Sequence, residues 1–327
     1  MSETSSTAGN TRQLRPVRFT KEIEPGLPRS RWWRRWGEET VSAYLFLLPS
    51  LVIFIVFTFF PAVYSVVVSF FRWNMPMKPV FVGFENYSYL FTDAIEAPIF
   101  WKSFFNTFYF ALGVPINLVI SLLIALLLNR RLRGVGFFRT TFFLPAITSM
   151  AAVSVVWLWL FHPAQYGLFN SFLIQLGLPI QSWLRDPILA MPCLIAIGVW
   201  YGMGYNIIIF LAGLQSIPRT YYEAAKIDGA GQVSLFRHIT WPLLGPTLFY
   251  VLSVGMINSL KAFTEIDVMT QGGPLNSTTT LAYYLYQNAF QFFQMGKASA
   301  VAVLLFIMLF LLTWIQFRFI DRSVHYE

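Results

Sequence analysis

Six stretches of this chain run for twenty or more residues with almost no charge, at roughly 42–71, 104–128, 140–161, 188–213, 242–267 and 298–319. A bilayer core is crossed by a helix of about 20 mostly apolar residues, so each stretch is long enough to span. Of the 327 residues 56% are hydrophobic and 12% charged, against about 25% charged in soluble domains. The pattern predicts an all-α polytopic membrane protein with six transmembrane helices. It argues against a soluble domain and against disorder beyond local segments. The net charge of +8 does not mark a nucleic-acid binder, because the basic residues are diluted among apolar runs rather than striped along one face. A single cysteine, Cys193, excludes an intramolecular disulfide and any multi-cysteine metal cluster.

Residues 1–40 are polar and basic, carry Pro16, Pro25 and Pro28, and read as a mobile cytoplasmic tail. No short apolar segment with a small-residue cleavage site heads the chain, so the tail is not read as a signal peptide. The first span, 41–71, is read as an uncleaved anchor. An extracytoplasmic loop (72–103), a five-helix core (104–322) and a short cytoplasmic tail (323–327) complete the expected organisation. Orientation follows the distribution of basic residues. Seventeen fall on one side, including Arg29, Arg31, Arg34, Arg35, Arg130, Arg131, Arg133, Arg219, Lys226 and Arg318, and six on the other: Arg72, Lys78, Lys102, Arg185, Lys261 and Lys297. Both termini are therefore expected in the cytoplasm of a bacterial or archaeal cell. Trp32, Trp33, Trp36, Trp73, Trp101, Trp183, Trp241 and Trp314 fall near span ends, as an interfacial belt requires. Pro49, Pro61, Pro115, Pro145 and Pro192 fall inside spans, as tolerated kinks or as bends around a pathway. Residues 165–178 carry an apolar stretch that could lie flat as an interfacial helix.

Nothing in the chain resembles an active site, so no enzyme activity, metal or cofactor is expected. His162, His238 and His325 lie in separate loops or tails. The Gly296-Lys297 pair is followed by Ala298, and Gln291 stands where the first glycine of a phosphate loop is required. Energy for transport against a gradient must then come from an ion gradient or from a partner.

The loop between spans four and five, residues 216–242, reads SIPRTYYEAAKIDGAGQVSLFRHITWP. Ser216 can cap a helix and Pro218 suits a first turn. The helix should continue through Tyr221–Ile227 and end at Asp228-Gly229, with Gly231, where positive φ is tolerated. A second short helix is expected from about Gln232 into Ile239. Small Ala224 and Ala225 would let another protein approach closely, with Glu223 as an anchoring charge, although a plain folded loop fits as well.

These residues match the pattern EAA-x3-G-x9-I-x-L-P at Glu223-Ala224-Ala225, Gly229, Ile239 and Pro242, with Trp241 in place of the usual leucine. In this the chain resembles the inner-membrane permease subunits of binding-protein-dependent ABC importers. Residues 81–91 (FVGFENYSYLF), 137–146 (FFRTTFFLPA) and 270–290 (TQGGPLNSTTTLAYYLYQNAF) are similar to phrases of the carbohydrate-uptake branch, the maltose, glycerol-3-phosphate and trehalose type. The likeness covers about 42–322. The tail RFIDRSVHYE lacks a glycine-rich ending, which favours the first subunit of a heterodimer. The resemblance implies a type I importer permease fold and a coupling helix, Glu223, Ala224, Ala225, Asp228 and Gly229, docked in a cytoplasmic ATPase. It implies as partners a second homologous permease, two ATP-binding cassette subunits that bind the ATP, an extracytoplasmic solute-binding protein and membrane lipid, and no nucleic acid.

Polar residues inside spans cost free energy unless they face protein or a water-filled cavity. Span four carries Trp200, Tyr201, Gly202, Tyr205 and Asn206. Span five carries Ser253, Asn258, Ser259, Lys261, Glu265 and Asp267. Aromatic platforms with convergent hydrogen-bonding groups suit a sugar, and by resemblance the pathway draws on Gly198, Tyr201, Gly202, Tyr205, Asn258, Ser259 and Lys261. The tyrosines could instead pack, Asn258 and Ser259 could bond neighbouring helices, and Lys261 could pair with Glu265 at i, i+4 or meet an anionic substrate. An ion-coupled secondary transporter is the alternative class, and would show acidic relays in several spans; a membrane-embedded enzyme is disfavoured by the scattered polar residues.

Overall fold

The computed structural model describes residues 29–130 and 134–320, with side chains from 40 to 318. Residues 1–28, 131–133 and 321–327 lie outside the described residues; most of the expected cytoplasmic tail and Arg131, Arg133 and Arg322 fall there. The chain divides into two units, Met1–Pro61 and Ala62–Glu327.

In the first unit, α1 (Arg29–Phe54) runs through Pro49 and into a π turn, Ile55–Phe59, followed by the start of α2 (Phe60–Val68). The helix therefore begins inside the segment expected to be a mobile tail. Thr40–Val68 is long and apolar enough to cross a membrane.

In the second unit the chain leaves α2 for a two-stranded hairpin, β1 (Phe71–Arg72) against β2 (Val80–Phe81), paired antiparallel with Phe71 opposite Phe81. Then follow α3 (Glu85–Thr92), α4 (Glu96–Ala111), α5 (Gly113–Leu128), α6 (Val135–Ile147), α7 (Met150–Leu160), α8 (Leu168–Gln175), α9 (Ala190–Ser216), α10 (Arg219–Ile227), α11 (Gln232–Leu235), α12 (Trp241–Leu243), α13 (Gly245–Leu260), α14 (Thr264–Met269), α15 (Leu281–Tyr286) and α16 (Met295–Ile320). The helical fold class is as read from the sequence, and α8 falls within the stretch 165–178 that was read as a possible interfacial helix.

Two spans depart from straight helices. Four helical segments are long and apolar enough to cross a membrane unbroken: Thr40–Val68, Glu96–Leu128, Ala190–Ser216 and Met295–Arg318. The other two are bent pairs. α6 and α7 meet at 101°, and Gln232–Leu243 meets Gly245–Leu260 at 63°. The first bend has a local cause: Thr148 and Ser149 take extended backbone, at ψ 147° and 132°. The Thr148 hydroxyl bonds the Leu144 carbonyl at 3.2 Å and so closes the end of α6. Pro145, in its last turn, has no N–H to give. At the second bend Pro242 and Pro246 flank Leu244, and both lack that donor. Pro115 and Pro192 sit in the first turns of α5 and α9, where a missing N–H costs little. Span two starts earlier than the hydropathy suggested. α4 begins at Glu96 because Asp93 Oδ1 accepts the N–H groups of Ile95 and Glu96, both at 2.9 Å.

Small residues set the helix crossings. A Cβ on Gly204 of α9 would lie 2.0 Å from the Phe142 carbonyl oxygen of α6. One on Gly255 of α13 would lie 2.9 Å from Val114 Cγ1 of α5, and one on Gly113 would press Ile195 of α9 at 3.1 Å. Close backbone approach of this kind replaces the hydrophobic drive that lipid does not supply between helices. One buried cluster, Leu122, Ala125, Ile207, Phe210, Leu214 and Val251, joins α5, α9 and α13. Another, Met191, Leu194, Ile197, Ile266 and Tyr283, lies towards the other end of α9.

Candidate functional site

The helix crossings around α9 leave a cavity of about 720 Å³. All seven pathway residues read from the sequence line it: Gly198, Tyr201, Gly202 and Tyr205 from α9, and Asn258, Ser259 and Lys261 from the end of α13. Asn206 and Glu265 line it too. Trp200, Ser253 and Asp267 do not. Trp200 packs its ring on Trp157 of α7 at 5.5 Å, and Ser253 is buried, its hydroxyl without a partner.

The polar lining is held rigidly. Tyr201 donates its hydroxyl to the Thr148 carbonyl at 3.0 Å, which ties α9 to the 101° bend. That carbonyl is free because the chain is extended there. Tyr205 from α9 and Tyr250 from α13 both line the cavity. Asn117 of α5, which sequence reasoning missed, is the hub of the wall. Its Nδ2 donates to the Val199 carbonyl at 2.7 Å, and its Oδ1 accepts Asn206 Nδ2 at 2.7 Å and Ser121 Oγ at 3.0 Å. The clue was the i, i+4 pair Asn117/Ser121 inside an otherwise apolar run. Gly202 is needed opposite, since a Cβ there would stand 3.1 Å from Asn117 Nδ2.

Lys261 and Glu265 are the only charged residues of the lining. They were weighed as an i, i+4 pair, but the two ion pairs among the described residues are elsewhere, Arg72–Glu85 and Lys297–Glu96. The reason is backbone geometry. α13 ends at Leu260 with Lys261 at its cap, and Glu265 belongs to the separate helix α14, so the helical spacing that would join them is interrupted. Lys261 is exposed to the cavity and Glu265 is buried.

The segment 270–280 closes over α4. Lys102 Nζ donates to the Leu275 carbonyl at 2.6 Å, Asn106 Nδ2 to the carbonyls of Asn276 and Thr279 at 2.9 and 3.0 Å, and Thr107 Oγ1 accepts the Leu281 N–H at 2.9 Å. Thr278, Thr279 and Thr280 are fully buried. This loop is therefore fastened to α4 along its length, with Leu275 at its tip left exposed. Gly296-Lys297, the false phosphate-loop pair, is also structural, because Lys297 is buried against Glu96.

At the other end of α9, α10 projects as a separate short helix. Glu223, Ala224, Asp228 and Gly229 are exposed and Ala225 is half-buried. Ser216 does not cap this helix, as was expected; it is the last residue of α9, bonded to the Gly213 carbonyl, and Pro218 takes the cap position with ψ 133°. The far end is a Schellman motif. Gly229 takes φ +84°, its N–H reaches the Lys226 carbonyl at 3.1 Å, and the Ala230 N–H reaches the Ala225 carbonyl at 2.9 Å. This explains why a glycine stands four residues after Ala225. Gly231, read as a second positive-φ position, is at φ −76°. The expected second helix is one turn of α11 followed by a π turn over Phe236–Thr240. Tyr222 bonds Thr240 at 3.0 Å and so fixes α10 to that turn. Ile227 and Val233 are 86% and 81% exposed.

Among the described residues no three His, Cys, Asp or Glu side chains gather as metal ligands. His162 stacks on Tyr166 and its Nδ1 meets the Ala164 N–H.

Residues 26–326 match the family model of the binding-protein-dependent transport system inner membrane component. The chain is similar to the arabinooligosaccharides transport system permease protein of Bacillus subtilis, 33% identical over 93% of this chain and 97% of the relative. It is similar to the sn-glycerol-3-phosphate transport system permease protein of Yersinia enterocolitica, 37% identical over 87% and 95%. Among solved structures it shares its fold with a chain of a bacterial ABC transporter involved in import of the acidic polysaccharide alginate, with TM-score 0.77, 23% identity, and cover of 89% and 99%.

Proposed function

We propose, from the premise that this chain belongs to the family of binding-protein-dependent transport system inner membrane components, that it is one of two homologous permeases forming the pathway for a sugar or related polyol. An extracytoplasmic binding protein delivers the solute, and two partner ATP-binding cassette subunits supply the energy through alternating access. The observation that carries this reading is the cavity beside α9. Tyrosine faces, amides and hydroxyls line it together, which suits a ring with an apolar face and a hydroxyl rim. Relatives named for an arabinooligosaccharide and for a glycerol phosphate support a solute of that breadth. The ion-coupled alternative loses its ground with the family assignment.

Glu223 through Gly229 would couple the pathway to the ATPase, with Ile227 and Val233 as apolar anchors flanking Gly229. The exposed small residues of α10 and its stiff Schellman end support that role. Movement of a docked rigid helix is transmitted into the bend at Leu244 and from there to α13.

Purification from the native membrane tests the assembly: a stable complex with a second permease and two nucleotide-hydrolysing subunits is expected. Uptake of neutral sugars and of glycerol phosphates by the Lys261→Ala variant tests the cavity. A changed profile assigns Lys261 to the solute, and an unchanged profile removes it from the solute site. Tyr205→Ala should raise KM at least tenfold; a KM equal to wild type would refute the cavity as the solute site.

A further inference from the structure

Two segments outside the spans carry a concentration of exposed large apolar side chains. In and beside the hairpin Met77, Val80, Phe81 and Phe84 are 72%, 60%, 68% and 72% exposed; ahead of α16, Phe292 and Phe293 are 57% and 51% exposed. At side-chain areas of 150–250 Å² for the aromatics, these six expose roughly 700 Å², more than the largest patch on most soluble monomers.

The structure fixes the height of both segments. The hairpin starts three residues after α2 ends at Val68, and Phe293 lies two residues before α16 begins at Met295. The segments are bonded to each other: the Met75 N–H meets the Phe293 carbonyl at 2.9 Å, and Asn74 bridges Gln294. Asn86 holds the hairpin from its other side, donating to the carbonyls of Ser69 and Phe71 at 2.8 and 2.9 Å. A unit bonded directly to the ends of two membrane-spanning helices must sit where those helices leave the hydrocarbon.

Its charge fits that depth. Arg72 and Glu85 pair with each other, which leaves Lys78 as the one unpaired charge among the described residues 70–84. A lysine on a flexible stem beside exposed aromatics is the composition of a surface that lies at a headgroup boundary.

We infer that the hairpin Phe71–Phe81, with Phe84 and Phe292–Phe293, is a lipid-binding anchor lying in the interface of the leaflet on the side of the loop between the first two spans. Its aromatics enter the acyl boundary and Lys78 meets lipid phosphate. The inference rests on the reading of the chain as a membrane-spanning permease. Its consequence is that the end of α16 is pinned to a fixed depth, while α10 at the opposite end of the bundle stays free to move.

The test uses the assembled transporter with its co-purified partners in nanodiscs of phosphatidylethanolamine and phosphatidylglycerol. Phe81→Cys and, separately, Phe292→Cys are labelled with a small fluorophore; buried Cys193 is retained, and the parent protein gives the background. Quenching by lipids carrying a nitroxide at acyl carbon 5 should exceed that at carbon 12 by about twofold or more, as for groups 5–10 Å below the surface. Aqueous iodide should quench little. Labels reached by iodide and not by lipid nitroxides overturn the inference, as do labels reached by neither because a partner subunit covers them. Labels at Phe306 and Leu123, on α16 and α5, report separately on membrane insertion. If neither is quenched by the carbon-12 nitroxide, the spanning reading itself fails.

Discussion

Replacing Glu96 and Lys297 singly and together measures how α3, α4, α15 and α16 are held together. Lys297 Nζ lies 2.8 Å from Glu96 Oε1, with 9% and 21% of the two side chains accessible. The Tyr284 hydroxyl donates to the other carboxylate oxygen, and Nζ stands 4.7 Å from the Tyr89 ring centroid. At an effective dielectric near 20, attraction over that distance is about 6 kcal/mol before desolvation is subtracted. Breaking a buried pair from one side costs about 3–5 kcal/mol, because the remaining charge is stranded. The structure makes the two sides unequal. Glu96→Gln leaves the better-buried ammonium with a neutral amide oxygen, the Tyr89 ring face and the charge of Asp93, and should cost about 3 kcal/mol. Lys297→Met leaves a carboxylate that is partly wet and still bonded to Tyr284, and should cost about 2 kcal/mol. The double variant strands no charge and should cost no more than about 3 kcal/mol, giving a coupling of about 2 kcal/mol. Cys193 is the single cysteine and is buried, so a thiol-reactive dye reports thermal unfolding of the purified chain. At roughly 2–4 °C per kcal/mol, Glu96→Gln should melt about 6–12 °C below wild type. A double variant whose loss equals the sum of the single losses would refute the coupling.

Gly204→Ala puts a methyl 2.0 Å from the Phe142 carbonyl oxygen, so α6 and α9 must separate. The same dye should show a loss of about 1–3 kcal/mol, and an unshifted melt would contradict the crossing. Backbone N–H groups of Glu96 and Ile95 hold the Asp93 carboxyl below its ordinary value of 3.8. A lowered folded value means that the contribution is complete above the unfolded value and fades as pH falls through the folded one. Melting of the wild type should therefore drop below about pH 4 more steeply than that of Asp93→Asn; parallel pH profiles would remove Asp93 from the start of α4.

Much of the architecture was legible because twenty-residue apolar runs have few alternatives in water or lipid. The end of α10 was legible for a more specific reason: a glycine after Asp228 is the side-chain solution to a left-handed residue, and the Schellman bonds of Ala225 and Lys226 depend on it. The bends were not legible. Pro145 and Pro242 read alike whether a helix tolerates them or turns at them, and the 101° turn rests on two extended residues, Thr148 and Ser149, whose composition signals nothing. The start of span two was hidden because Glu96 and Lys102 interrupt its hydropathy. The Glu96 partners, Lys297 and Tyr284, are 201 and 188 residues away. Within the cavity α9 and α13 declared their polar residues by number. Asn117 was overlooked because one amide in an apolar run looks like helix glue, and it is that as well as cavity wall.

The central claim is that α10 passes work from a partner ATPase to the cavity beside α9. Uptake of labelled solute into vesicles holding the complete complex and loaded binding protein, with and without internal ATP, tests it in Gly229→Asp and Glu223→Lys. Gly229 sits at φ +84°, so aspartate there strains the Schellman end by about 1–2 kcal/mol, too little to unfold the chain. The account predicts that wild type accumulates solute only with ATP, and that both variants remain in the membrane while uptake is lost. Uptake at the wild-type rate in either variant would contradict it.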